Sequence, residues 1–169
     1  MLQVYTGDGK GKTTAALGLG LRAIGHGKKV VMLQFLKDDP EYGEFKAREL
    51  LKNFTIHQVG RNEFVNFRNP EQIDLQLAQA GWTQAVELMV SKACDILILD
   101  EFTLVLKYGL IDTAQVYACL NKYRATMEIV ITGRYAPQEL MDIADLVTNM
   151  GNTKHYFDAG VPSRTGIDH

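Results

Sequence analysis

The chain has 169 residues, of which 46% are hydrophobic and 22% charged, enough for one sizeable core and too little for two ordinary domains. A net charge of −2 with no cluster of Lys and Arg excludes the electrostatic footprint of a nucleic-acid binder, and no apolar run reaches the ~18 residues that a membrane span needs. The first strand begins almost at Met1, without room for a signal peptide, so a cytoplasmic protein acting on small molecules is expected.

Strand-like apolar runs are predicted at Leu2–Tyr5, Val30–Phe35, Phe54–Val59, Ile96–Leu99, Ile129–Thr132 and Leu146–Thr148. Helical patterns run from Thr13 to about Ile24, through Glu44 to Leu51, from Pro70 to about Lys92, from Asp112 to about Arg124 and from Pro137 to about Ile143. Gly25 and Gly27 supply the stop for the first of them. Strands alternating with helices argue an α/β fold with a mainly parallel sheet and helices on both faces. Two stretches read as irregular, Lys37 to Gly43 and Gly60 to Asn69, and loops at the carboxyl ends of parallel strands are where such folds bind ligands. Cys94 and Cys119 have neither CxxC spacing nor a neighbouring histidine pair, and are expected to be reduced core thiols.

The first strand runs into Thr6-Gly7-Asp8-Gly9-Lys10-Gly11-Lys12-Thr13-Thr14, followed by a helix rich in Ala and Gly. Glycines allow successive amide N–H groups to turn inward on an anion, and the helix adds the positive end of its dipole. Lys12, on the surface of this loop, would contact phosphate oxygens, and Thr13 would offer its hydroxyl to Mg²⁺. The strict phosphate-loop pattern has glycine where this chain has Thr6, with Gly7 one residue later. A glycine-rich turn capping an ordinary helix satisfies the short motif equally well; the strand before and helix after favour the phosphate loop. The Asp8 carboxylate would be repelled by a triphosphate and is expected to turn back onto the loop amides.

Further on, Asp95-Ile-Leu-Ile-Leu-Asp100-Glu101 is an apolar strand ending in two carboxylates, as a Walker B strand does, so Asp100 or Glu101 is a candidate for holding Mg²⁺ directly or through water. Alone this is as readily a solvated strand end. Together with the loop it indicates a P-loop NTPase fold of the RecA-like kind. Thr132-Gly133-Arg134 ends another strand on the same side of the sheet and brings a guanidinium towards the phosphates, although a surface salt bridge would use the same residue.

With these elements in place the chain resembles the P-loop family of cob(I)alamin adenosyltransferases nearly end to end. The residues that carry the likeness are TGDGKGKTTAALGLGLRAIGHGKKV from Thr6 to Val30, QF followed by Lys37, LDEFT from Leu99 to Thr103, ITGR from Ile131 to Arg134, and KHYFDAGVPSRTGIDH from Lys154 to the end. The tail is the most specific part, since a generic ATPase has no reason to end in FDAGV and GID. The resemblance implies that ATP is an adenosyl donor: Co(I) of a corrinoid, cobalamin or an earlier form such as cobyrinic acid diamide, attacks the 5′ carbon and the whole triphosphate leaves. Gly7, Asp8, Gly9, Lys10, Gly11, Lys12, Thr13 and Thr14 then hold ATP, reversed in the loop relative to other P-loop enzymes. Lys12, Mg²⁺ and Arg134 stabilise the leaving group, with Thr13, Asp100 and Glu101 around the metal. Arg22 matches an arginine that meets the nucleoside end, or is simply a solvated helix residue.

On the corrinoid side, the likeness matches Phe64 to a phenylalanine that helps to replace the lower axial ligand of the cobalt. The tryptophan expected two residues on is Asn66, and Phe67 is the substitute aromatic. Either phenylalanine would equally serve as a loop residue folded onto the core. Longer family members carry a segment before the first strand that covers the site; here Leu2 is already in the strand, so cover is expected from elsewhere, such as a partner subunit of a homodimer. An electron-donating reductase, a reduced flavoprotein, is the further partner that the likeness implies. The competing reading from the motifs is a P-loop kinase or hydrolase of another small molecule, which would share Lys12, Thr13 and Glu101 but release ADP or phosphate.

Overall fold

A computed structural model describes the whole chain from Met1 to His169. Six strands, β1 (Leu2–Thr6), β2 (Val30–Phe35), β3 (Phe54–Val59), β4 (Ile96–Asp100), β5 (Glu128–Thr132) and β6 (Leu146–Asn149), form one sheet in the order β3-β2-β4-β5-β1-β6. Every pairing is parallel. The helices are α1 (Lys12–Ile24), α2 (Gly43–Ala47), α3 (Gln72–Ser91), α4 (Phe102–Lys107), α5 (Thr113–Tyr123) and α6 (Gln138–Ile143).

The sequence pattern explains this order. β4, Ile-Leu-Ile-Leu-Asp, is apolar at consecutive positions and buried throughout, which suits a central strand covered on both faces. On one face Ile96, Ile98, Val30, Met32 and Val130 pack with Ala16 and Ala23 of α1; on the other Leu97, Leu99, Leu33, Phe35 and Ile131 pack with residues of α3 to α6. Phe102 fixes the second layer: its ring lies 4.7 Å from that of Phe35 and stacks at 5.4 Å on Trp82 of α3. Rings at these separations contribute about 1 kcal/mol each beyond their burial. No helix is long and apolar enough to cross a membrane.

Two elements differ from expectation. The helix predicted from Glu44 to Leu51 stops as α-helix at Ala47 and tightens into a 3-10 turn over Arg48–Leu50. Its apolar stripe is too short to sustain more turns, with Leu50 exposed and the Arg48 guanidinium laid 3.4 Å over the Phe45 ring. α4 has no counterpart among the predicted helices, because it follows β4 with no capping residue between them. The break is conformational: Glu101 sits in the left-handed region at φ 58°, and burial of Phe102 directly after it sustains the strain of order 1 kcal/mol. Cys94 is buried and Cys119 half-buried, and both are free. Burial pushes the Cys94 thiol up to about 11, so it is an inert core group.

Candidate functional site

Because all strands run the same way, Thr6, Asp100 and Thr132 end at one rim of the sheet, with Tyr5 beside Thr132 and Gln34 beside Asp100. β5 separates the phosphate-loop strand β1 from β4, and its last residue spans the gap between them. Thr132 Oγ1 donates to Asp100 Oδ1 at 2.6 Å and accepts from the Glu101 amide at 3.1 Å. Asp100, fully buried, also accepts from Thr13 Oγ1 at 2.8 Å and, on its other oxygen, from Lys37 Nζ at 2.7 Å. Thr132 was not among the residues picked out for the site. No local signal marks it: only the strand order that sets β5 beside β4 brings its hydroxyl to a buried carboxylate.

The loop from Gly7 to Gly11 packs against the segment after β6. The Gly9 amide donates to the Met150 carbonyl at 2.7 Å. Gly7 has φ 103°, and a Cβ there would stand 2.4 Å from Asn149 Oδ1, so no other residue fits. This close approach is the physical content of the displaced glycine in the motif. The Asp8 carboxylate is exposed and makes no bond to the loop amides, contrary to expectation. Lys12 is buried, not on the loop surface, with Nζ donating to the Gly9 carbonyl at 2.6 Å. Burial pulls its pKa down, opposed chiefly by the charge of Glu101.

The Glu101 carboxylate accepts no hydrogen bond from the protein and lines the same cavity as Thr13. Burial, then the neighbouring Asp100 charge, raise its pKa, while Lys37, Lys12 and Arg134 oppose the rise. For Lys37 burial works to lower the pKa, but Asp100, by charge and hydrogen bond, outweighs it and the ammonium is held up. Oxygens left free to coordinate here include the Glu101 carboxylate and Thr13 Oγ1, whose proton goes to Asp100, a set suited to a hard divalent cation. Asp100, carrying three donors, fits the role of fixing the Thr13 hydroxyl, with any contact to a metal made through water.

Two cavities flank this rim. One of about 430 Å³ lies between the phosphate loop and the carboxyl-terminal tail, walled by Lys10, Thr13, Thr14 and Glu101 and by Gly166 to His169. The other, about 220 Å³, lies under Phe64 between the Leu36–Asp39 and Arg61–Glu63 segments. Lys37 and Tyr42 line both.

The family described as ATP:corrinoid adenosyltransferase BtuR/CobO/CobP matches residues 1–169 of the chain. The chain belongs to that family. A corrinoid adenosyltransferase of Escherichia coli strain K12 is 36% identical over 167 residues, 98% of this chain and 84% of the relative. The corrinoid adenosyltransferase CobA of Salmonella typhimurium is likewise 36% identical over 167 residues, and that of Pseudomonas aeruginosa 34% over 169, covering 99% of this chain and 83% of the relative. Among solved structures, the flagellar accessory protein FlaH of Methanocaldococcus jannaschii superimposes with a TM-score of 0.58 at 13% identity, over 88% of this chain and 69% of that one. That likeness concerns the fold alone.

The remaining residues picked out from the adenosyltransferase resemblance are placed unevenly. Arg134 is exposed at the end of β5, its carbonyl accepting from Thr103 Oγ1 at 2.7 Å, and its charge is felt at both Lys12 and Glu101. Phe64 is fully exposed at the rim of the smaller cavity. Phe67 is not beside it: its ring stacks at 4.2 Å on Tyr108 and packs against the core, the bland fate of a loop aromatic. Arg22 lies exposed in the last turn of α1, about 15 Å along the helix from Lys12 at 1.5 Å per residue, and does not line the cavity beside the phosphate loop. The tail crosses the phosphate loop, where Asp168 accepts from Lys10 Nζ at 2.6 Å and from the Tyr156 hydroxyl and Arg164. Lys10, then Tyr156, hold the Asp168 carboxyl well below the usual range.

Proposed function

We propose that this enzyme transfers the adenosyl group of ATP to the reduced cobalt of a corrinoid, with ATP in the larger cavity and the corrinoid over Phe64. The observation that carries this reading is the shared wall: Lys37 and Tyr42 belong to both cavities, so a nucleotide on the phosphate loop meets whatever sits under Phe64. A hydrolase has no use for a second cavity opening on its nucleotide; a kinase would need one for its acceptor, and against that reading stands the family likeness.

In the reaction the Co(I) electron pair forms the Co–C bond to the 5′ carbon of ATP, the C5′–O bond breaks, and its pair leaves on triphosphate. Cobalt ends formally as Co(III). No proton moves at the reacting carbon, so the reaction needs no base: His26 and His57 are exposed, His155 accepts from the Phe157 amide, and the ring of His169, which lines the larger cavity, is hydrogen-bonded to Ser163 and Thr165. The work of the protein is therefore electrostatic. Lys12, buried and bound only to a carbonyl, exchanges that contact for a phosphate oxygen, and the loop amides and Arg134 take further charge. Glu101 and Thr13 would hold Mg²⁺, which supplies additional neutralisation of the leaving triphosphate. The family likeness further supports a homodimer, a reduced flavoprotein as electron donor and a cytoplasmic setting.

The test is to incubate the protein with ATP, Mg²⁺ and chemically reduced cobalamin, follow the visible spectrum, and identify the phosphate product. Triphosphate released in step with the spectral change is expected. ADP or inorganic phosphate as the first product would overturn the reading.

A further inference from the structure

The loop that carries Phe64 is irregular from Gly60 to Asn69, yet it is fastened at both ends. At its start Gly60 lies against the backbone of the Lys37 segment: a Cβ there would stand 2.3 Å from the Lys37 nitrogen and 2.6 Å from the Leu36 carbonyl carbon. At its far end Phe67 is stacked on Tyr108. Between these, Arg61 makes an unusual set of contacts. Its Nε donates to Asp74 Oδ1 at 2.8 Å, Nη2 to Glu71 Oε1 at 2.9 Å and Asp74 Oδ2 at 3.2 Å, and Nη1 to Glu63 Oε2 at 2.8 Å and Glu71 Oε2 at 3.2 Å.

Asp74 is the deepest of these partners, its side chain 1% exposed against 19% for Arg61, and it also accepts from the Glu71 amide in the capping box of α3. One guanidinium therefore ties the loop to the rigid first turn of a 20-residue helix, and through Glu63 to the residue next to Phe64. Only the Arg61–Asp74 pair of this cluster is buried, the Glu63 and Glu71 carboxylates being open to solvent; a buried pair seldom raises stability over apolar packing, because desolvation offsets the attraction, and what it supplies is one fixed geometry. Arg fits that task better than Lys, since its planar fork engages two carboxylates at once.

We infer that Arg61 is a positioning residue for the reaction: it fixes the backbone of the loop that carries Phe64, and so sets where that exposed side chain stands at the rim of the smaller cavity, which shares its Lys37–Tyr42 wall with the nucleotide cavity. The inference rests on the reading of Phe64 as a corrinoid contact that makes Co(II) reducible. It predicts that loosening Arg61 leaves ATP handling alone and impairs the step that depends on where Phe64 stands.

The experiment compares Arg61→Met, Arg61→Lys and Phe64→Ala in two assays, one with Co(I) prepared beforehand by a strong chemical reductant and one with Co(II) and a reductant of modest potential. Arg61→Met is expected to lose ~10-fold or more in the second assay and less than ~2-fold in the first, with KM for ATP unchanged. Arg61→Lys, which keeps the charge but not the fork, should fall between it and the parent. The absorption and electron-spin spectra of bound Co(II) should move towards those of the free corrinoid in the same order, a readout that a merely structural residue would not change. If Phe64→Ala shows no difference between the assays, the reading of Phe64 fails. If Phe64→Ala shows the difference and a folded Arg61→Met does not, the role given to Arg61 fails alone. Loss of folding in both Arg61 variants would also overturn it, making Arg61 a determinant of the fold.

Discussion

The ends of this site proposed for the nucleotide and for the corrinoid are built differently. At the nucleotide end Asp100, Glu101, Lys37 and Arg134 stand at strand ends or in the loops that follow them, Lys12 opens α1, and Asp100 has three hydrogen-bond donors gathered on it, Thr13 from the first turn of α1, Lys37 from just after β2 and Thr132 from β5. At the corrinoid end the one exposed aromatic stands on an irregular loop, held by an ion cluster and a stacked ring pair. The difference follows from what each must do. A departing triphosphate develops charge, and fixed dipoles and ammonium groups stabilise it only if they need no reorganisation. A flat macrocycle needs a surface that stands clear of the core and sets both the distance of the cobalt from the 5′ carbon and its line of attack opposite the leaving oxygen.

If the comparison is right, substitutions at the two ends should fail in different ways. The largest effect belongs to Lys12→Ala. Removing the ammonium leaves the triphosphate without its buried counter-charge, and a loss of ~100-fold or more in kcat/KM is expected. Stability should hardly change, because the group lost is a desolvated cation whose one hydrogen bond goes to the Gly9 carbonyl. Turnover and thermal unfolding of the same preparation check both halves, and near-normal turnover would remove Lys12 from the site.

Glu101→Gln should come next, raising the Mg²⁺ concentration for half-maximal rate by ~10-fold while leaving corrinoid affinity in place. The pH dependence gives a second measure. Burial and Asp100 raise the Glu101 pKa, so its carboxylate is protonated at a pH above the ordinary value of about 4.3. At limiting Mg²⁺ the rate of the parent should therefore fall as pH drops through that raised value, and excess Mg²⁺ should push the fall to lower pH, since cation and proton compete for the carboxylate. An unchanged Mg²⁺ titration in Glu101→Gln would count against the metal role.

The same division decides what could be read in advance. The six strands, α1, the phosphate loop and the Asp100–Glu101 pair announce themselves locally, through apolar runs, glycines and strand-end carboxylates. Thr132 could not be ranked by such rules, because its importance comes from strand order: only when β5 lies between β1 and β4 does its hydroxyl reach Asp100. α4 escaped because a left-handed Glu101 is a tertiary consequence of burying Phe102, and burial is not written in the two residues themselves. Phe64 and Phe67 are the clearest case. They are three residues apart in one loop and chemically identical, and only the presence of Tyr108 beside one of them separates a core aromatic from an exposed one.

The smallest effect concerns the tail, which belongs to neither end by construction but lies across the nucleotide cavity. Asp168 presents a carboxylate to Lys10 in the same cavity where triphosphate oxygens are placed by the proposed reaction, so ATP and Asp168 compete for one ammonium. The pair is partly exposed, with Lys10 open to solvent, and its attraction is correspondingly weak and screened. Asp168→Asn keeps the shape and the acceptor for Tyr156 but removes the charge. KM for ATP should then fall by ~2-fold to ~3-fold at low ionic strength, with kcat unchanged, and the difference should fade as salt is added because screening weakens the charge competition in the parent. A KM that rises instead, by an amount insensitive to salt, would show that the carboxylate serves to strap the tail over the nucleotide. That result would move the tail into the class of the Phe64 loop, a surface element whose ion pairs set position and not charge.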